Sequence, residues 1–284
     1  MLIPSRRRQP VRARASAHVR DRTLNFVLAG QVRSGSSVLG DSLSLPGYVV
    51  CHNEVLAGPV RTQETEEQRD QDAEARLAAH EDYFGSAPVC PWLTAATFNP
   101  NGYAENALFD HPRDDERVCG VRLPYPVIRA HEMYSLCDKL TRVGDFCLIL
   151  VQRNPVVCFV SYQQALQTNR WRRLAGAPDQ PPASLYVELS ELVAFIREHQ
   201  EVEAKLKAAC PDRLDLTYAE LLYDFRATWR KVMAFLELPD LTPTVPNWAR
   251  LRNHELSRRV VNWEQLVNGL PRDLRPLCYI EDNP

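Results

Sequence analysis

The chain has 284 residues, 45% of them hydrophobic and 25% charged, and a formal net charge of -2. Its length suits one large α/β domain or two small ones, and its composition is ordinary for a globular protein. The near-neutral charge excludes a global field that recruits nucleic acid or an anionic membrane, and no apolar run approaches the ~20 residues needed to span a bilayer.

Residues 1–23 carry Arg6, Arg7, Arg8, Arg12, Arg14 and Arg20 before the first acid, Asp21. An Arg-rich, acid-free leader is compatible with a mitochondrial transit peptide, but no clear amphipathic stripe is present. A disordered basic tail or an over-extended start fits better, with residues 24–284 as a single domain. Leu24–Leu28 reads as a short buried strand, followed by the glycine- and serine-rich loop Gly30–Ser37 and a helix over Val38–Ser44. Strand, glycine loop and helix open a βαβ unit. Tyr48–Cys51 is a second strand, ending just before Glu54. Arg61–His80 reads as a polar surface helix and Val89–Phe109 as irregular.

Val118–Leu123 and Phe146–Val151 are further strands, with a helical stretch through Arg129–Leu140 between them. After the second, Asn154 suits a helix N-cap and Pro155 the first helical position, so a helix should run to about Thr168. Gly176–Ala183 is a proline-rich loop. Leu189, Leu192, Val193 and Ile196 keep helical spacing, Leu214–Thr217 is a last strand, and Phe225–Leu236 a last amphipathic helix. The alternation predicts an α/β fold: a P-loop-like, mostly parallel sheet with helices on both faces. The eight cysteines are scattered with no C-x-x-C pair. Without a secretory signal they suit reduced thiols in the cytoplasm better than a zinc site or a disulfide framework.

Gly30, Gly35 and Ser37 fit the outline G-x-x-x-x-G-x-[ST]. Glycines let a backbone turn its N–H groups inward, and a following helix adds a positive dipole end, so this outline suits a phosphate. An ATPase would place Lys after Gly35; here it is Ser36, and the cation, Arg33, comes earlier. An NTPase also needs a carboxylate at a buried strand's end to hold magnesium. The strand Phe146–Val151 ends instead in Gln152-Arg153-Asn154-Pro155. An arginine there lies where open α/β sheets bind ligands, and Ser161, two turns into the helix, could share its anion. A plain turn, a surface salt bridge and a helix-face hydroxyl are the ordinary alternatives taken singly. Together the residues describe a ligand with two separate phosphate groups.

These residues resemble the sulfotransferases that use the donor PAPS (3′-phosphoadenosine 5′-phosphosulfate). Phe26-Val27-Leu28-Ala29-Gly30-Gln31-Val32-Arg33-Ser34-Gly35-Ser36-Ser37 is similar to that family's 5′-phosphosulfate loop, R-S-G-S-[ST]. Leu150-Val151-Gln152-Arg153-Asn154-Pro155-Val156-Val157-Cys158-Phe159-Val160-Ser161 is similar to its 3′-phosphate motif, R-[ND]-P with a following Ser. Leu216–Leu222 resembles L-x-Y-E-x-L, Phe235-Leu236-Glu237-Leu238 resembles F-L-G-L, and Gln163–Trp171 is similar to bacterial trehalose and nodulation-factor sulfotransferases. Departures are Gln31-Val32, Arg33 where cytosolic animal enzymes have Lys, and Asn169 for a Gly. They bear on the acceptor more than on the donor.

The resemblance implies that Arg33, Ser34, Gly35, Ser36 and Ser37 hold the 5′-phosphosulfate and that Arg153 and Ser161 hold the 3′-phosphate. PAP is then the product, and no metal is required. The acceptor is a small molecule with a hydroxyl: a carbohydrate, glycolipid or natural product. Glu54 matches the catalytic base of the bacterial relatives, with Arg33 opposing charge on the leaving phosphate; a surface acid is the alternative for Glu54, and His52 and His111 are rival bases. Arg122 and Tyr125 belong near the acceptor or to the core's flank, and Arg170, Trp171, Arg172 and Arg173 to an acceptor rim or a solvated helix end. Nucleic acid and a membrane span are not expected as partners, and a homodimer is compatible. An atypical P-loop kinase and a non-catalytic PAP-binding module are the competing readings.

Overall fold

The computed structural model describes residues 24–45, 48–53, 118–130, 133–134, 146–168, 170–171, 184–243 and 256–279. The expected basic tail, the helix over 61–80, the irregular stretch 89–109 and the loop 176–183 lie outside them, as do Glu54, His111, Asn169, Arg172 and Arg173. So does most of the helical stretch expected through 129–140.

Among the described residues five short strands form the sheet: β1 Leu24–Gly30, β2 Val49–Asn53, β3 Val118–Pro124, β4 Phe146–Gln152 and β5 Arg213–Thr217. Their order is β2-β3-β1-β4-β5 and every pairing is parallel. Parallel strands have both faces covered, which is why β1 and β4 read as nearly continuous apolar runs. Successive side chains leave a strand on opposite faces. Val27 and Ala29 of β1, with Leu148 and Leu150 of β4, pack toward α2 (Tyr125–Ala130) and α4 (Leu189–Ala209). Phe26 and Leu28, with Ile149 and Val151, pack toward α1 (Ser36–Ser42) and α6 (Phe225–Phe235), whose Trp229 is fully buried. Each buried Val, Leu, Ile or Phe among them stabilises the fold by about 1.5–3 kcal/mol relative to exposure.

The fold is therefore α/β with a wholly parallel sheet covered on both faces, of P-loop-like layout: β1, a glycine loop, then a helix. A third cluster joins α3 (Pro155–Thr168) and α4 to α7 (Leu256–Arg259), α8 (Trp263–Gly269) and a 3-10 turn at Arg275–Cys278. Among the described residues no helix is long and apolar enough to cross a membrane.

The helix starts are set locally. Val156 N donates to Asn154 Oδ1 at 2.9 Å, and Cys158 N to Asn154 O at 3.0 Å, so Asn154 caps α3. Between β5 and α5 (Tyr218–Tyr223), Thr217 and Glu220 form a reciprocal capping box. Thr217 N donates to Glu220 Oε2 at 2.8 Å, and Glu220 N to Thr217 Oγ1 at 3.2 Å.

Candidate anion site at the carboxyl edge of the sheet

Because all strands run one way, their carboxyl ends share one edge. β1 is central: the chain leaves it for β2 and β3 on one side and later reaches β4 on the other. A crevice at such a switch point is where open α/β sheets bind ligands. The loop after β1 and the turn after β4 both open there.

The loop after β1 is built from left-handed backbone. Arg33 has φ 69° and Gly35 φ 92°. A non-glycine residue held in this region is uncommon, and alternation of this kind curls N–H groups toward one side, as anion-binding nests do. Only glycine fits the second position. A Cβ on Gly35 would lie 2.8 Å from Tyr218 Cδ2, and one on Gly30 would lie 2.6 Å from Ser34 Oγ. The loop closes with Ser34 N donating to Gln31 O at 3.0 Å, while the buried Gln31 side chain accepts from Val32 N at 2.8 Å. Ser34 is 0% exposed and its hydroxyl has no hydrogen-bond partner among the described residues. An orphaned buried hydroxyl is costly unless a ligand meets it, so this atom fits an oxyanion in the loop.

Two arginines meet at this loop. Arg33 Nε donates to Ser161 Oγ at 3.1 Å, across 128 residues of chain, and its Nη1 to the Trp171 carbonyl. Arg153 Nη1 donates to Arg33 O at 2.7 Å, and its guanidinium lies 3.7 Å from the centre of the Tyr218 ring. The same ring packs beneath Gly35. Thus Arg33, Ser34, Gly35, Arg153 and Ser161 are assembled at one place, with Ser36 and Ser37 opening α1 directly after it. The sequence reading divides Arg33 and Ser161 between two phosphates; in the structure their side chains are bonded to each other.

Trp171 is 42% exposed and its ring lies 5.9 Å from that of Tyr162, so an aromatic pair flanks Arg33 on the outer side. Arg170 is exposed beside it. Of the other sequence candidates, Tyr125 is fully buried in the core against His199, ring centres 5.2 Å apart. Burial, with the charge of Glu203 adding to it, pushes the Tyr125 hydroxyl's pKa upward. Arg122 is buried on β3 in register with Leu28 and Asn53. His52 lies on β2, whose last residue, Asn53, directly precedes Glu54. β2 is two strands from β1, ~10 Å at ordinary sheet spacing.

Neither a family model nor a curated protein matches this sequence. Among the solved structures it resembles are three sulfotransferases. A sulfotransferase from Alicyclobacillus acidocaldarius is 16% identical, covering 91% of this chain and 96% of its own, at a TM-score of 0.46. The sulfotransferase domain of the Synechococcus PCC 7002 olefin synthase is 14% identical, covering 90% and 93%, at 0.43. A mouse sulfotransferase complexed with PAP is 11% identical, covering 88% and 68%, at 0.35. Likeness this distant carries no argument about activity or ligand, and the functional reading rests on this chain's own residues.

Two features of the site escape sequence reading. Arg259, at the end of α7, is only 5% exposed and its Nη2 bonds to Gln164 Oε1, three residues beyond Ser161 on α3. It brings a second guanidinium to that helix, after that of Arg33 on Ser161. Nothing in the pair Arg258-Arg259 marks one as buried. The second is a cleft of about 530 Å³ beside Arg153, lined among others by Gln152, His199, Glu203, Lys207 and Tyr218.

Proposed function

We propose that this chain is a sulfotransferase that takes a sulfuryl group from PAPS and passes it to a hydroxyl of a small acceptor, a carbohydrate, glycolipid or other natural product. The observation that carries the proposal is the meeting of Arg33 and Arg153, from turns after β1 and β4, around a loop that holds an orphaned buried hydroxyl. Two cations from two turns suit a ligand with two phosphate groups better than one with a single phosphate chain. The turn after β4 also presents Gln152 and Arg153 where a magnesium-dependent NTPase needs a carboxylate.

PAPS, when bound, supplies the chemistry: the acceptor oxygen bonds to sulfur as the bond from sulfur to the 5′-phosphate oxygen breaks, releasing PAP. In this reading Ser34–Ser37 and Arg33 hold the 5′-phosphosulfate, and Arg153 and Ser161 the 3′-phosphate. Arg33 and the inward backbone N–H groups oppose the charge that grows on the leaving oxygen. Glu54, the residue that follows β2 in the sequence, takes the acceptor's proton; His52 and His111 are the alternatives to it.

Mass spectrometry after incubation with PAPS and hydroxylated candidate acceptors tests the proposal. A sulfated product should appear together with PAP. Glu54→Gln should lower turnover roughly 10²–10⁴-fold while PAP affinity barely changes. Tight PAP binding with no sulfated product from any acceptor would instead favour a non-catalytic nucleotide-binding module.

A further inference from the structure

Beside the anion site lies a polar cluster centred on Glu203 of α4. Its carboxylate accepts from Gln152 Nε2 at 2.7 Å and from Lys207 Nζ at 2.5 Å, and it pairs with His199 Nε2 at 3.2 Å. His199 and Lys207 stand one turn either side on the same helix, so they fix the carboxylate itself. Gln152 is different. It comes from another element, 51 residues away in sequence, and it directly precedes Arg153. Its Cα is in register with that of Thr217, whose capping box starts the helix that carries Tyr218. Arg153 lies on the Tyr218 ring and donates to the glycine loop. A chain of direct contacts thus runs from α4 through Gln152 to the turn that carries Arg153.

We propose that Glu203 is a positioning residue for Arg153: by anchoring the Gln152 side chain it fixes the turn after β4, and so sets how sharply the site distinguishes a nucleotide with a 3′-phosphate from one without. The inference rests on the donor reading above only in assigning Arg153 to the 3′-phosphate. Glu203 acts on a bound anion in two ways of opposite sign. Its negative charge near Arg153 repels the anion, whereas its anchoring of Gln152 preorganises the cation that binds it.

Three variants separate the two effects. Glu203→Gln removes the charge but keeps an oxygen that can accept from Gln152. Glu203→Ala removes both, and Gln152→Leu removes the anchor while leaving the charge. PAP and AMP are titrated calorimetrically into the full chain at fixed salt. The wild type is expected to prefer PAP. Glu203→Ala and Gln152→Leu should each lose PAP affinity about five- to tenfold, with AMP affinity changed less than about twofold, and Glu203→Gln should stay within about twofold for both. Tighter PAP binding by both Glu203 variants, with Gln152→Leu unchanged, would reduce the residue to a charge effect and overturn the proposal. Equal losses for PAP and AMP would overturn it as general structural damage. Should Glu203→Ala fail to fold, Gln152→Leu alone decides. A wild type with no preference for PAP overturns the donor reading itself, and that is read before any variant is compared.

Discussion

The turn after β1 and the turn after β4 meet at one place but are held by different means. The first is shaped by backbone: left-handed residues at Arg33 and Gly35, a buried Ser34, and a glycine that must leave room for the Tyr218 ring. The second is shaped by side chains reaching to other elements. Gln152 bonds to Glu203, Asn154 Nδ2 donates to Leu277 O at 2.7 Å, and Arg153 reaches both the loop and the Tyr218 ring. A backbone-shaped loop presents a fixed set of N–H groups and tolerates little change. A side-chain-held turn can be adjusted in steps, so specificity is more readily tuned there.

The largest effect should come from the first turn. Gly35→Ala would force an alanine to φ near 92° and place its Cβ 2.8 Å from Tyr218 Cδ2. A loss of about 1–3 kcal/mol in stability is expected, read from urea unfolding, with PAP binding weakened at least about tenfold as Tyr218 and Arg153 shift. Normal stability and binding would show that backbone shape does not control this turn. Asn154→Ala attacks the second turn, removing the helix cap to Val156 N and the tie to Leu277 O. It should cost about 1–2 kcal/mol by the same assay while leaving the glycine loop's contacts in place.

A smaller effect concerns acid. Burial alone would raise the Glu203 carboxyl's pKa, but hydrogen bonds from His199 and Lys207, with the charge of Lys207, outweigh it and hold the value at about 2, below the ordinary 4.5. A carboxyl whose folded value is depressed contributes stability above its unfolded pKa and loses it as pH falls. The contribution should therefore be complete above about pH 4.5 and fade toward pH 2. Unfolding midpoints across that window should fall less steeply for Glu203→Gln than for the wild type; parallel curves would mean that the cluster does not hold the carboxylate ionised.

What could be read from sequence divides along the same line. β1 and β4 were legible because strands covered on both faces are apolar almost throughout, as in Phe146–Gln152. The start of α3 at Pro155 was legible because an N-cap is decided by adjacent residues. The glycine loop declared itself through Gly30 and Gly35, which a local backbone requirement explains. The bond from Arg33 to Ser161, by contrast, spans 128 residues, and that from Gln152 to Glu203 spans 51. No local pattern encodes such pairs. Glu203 reads as one more charge on the helix Leu189–Ala209, with His199 and Lys207 at helical spacing, and only packing against β4 shows its reach. Tyr125 was open between acceptor side and core; the start of α2 places it in the core.

The most direct test of the account is the affinity of the metal-free protein for PAP against AMP, measured by calorimetry. If Arg153 and Ser161 meet a second phosphate, PAP should bind roughly 10–100-fold tighter, the range expected for charge-assisted hydrogen bonds to one added phosphate group. Arg153→Ala should abolish most of that difference. Equal affinity for PAP and AMP would contradict the assignment of two phosphate groups to the two turns.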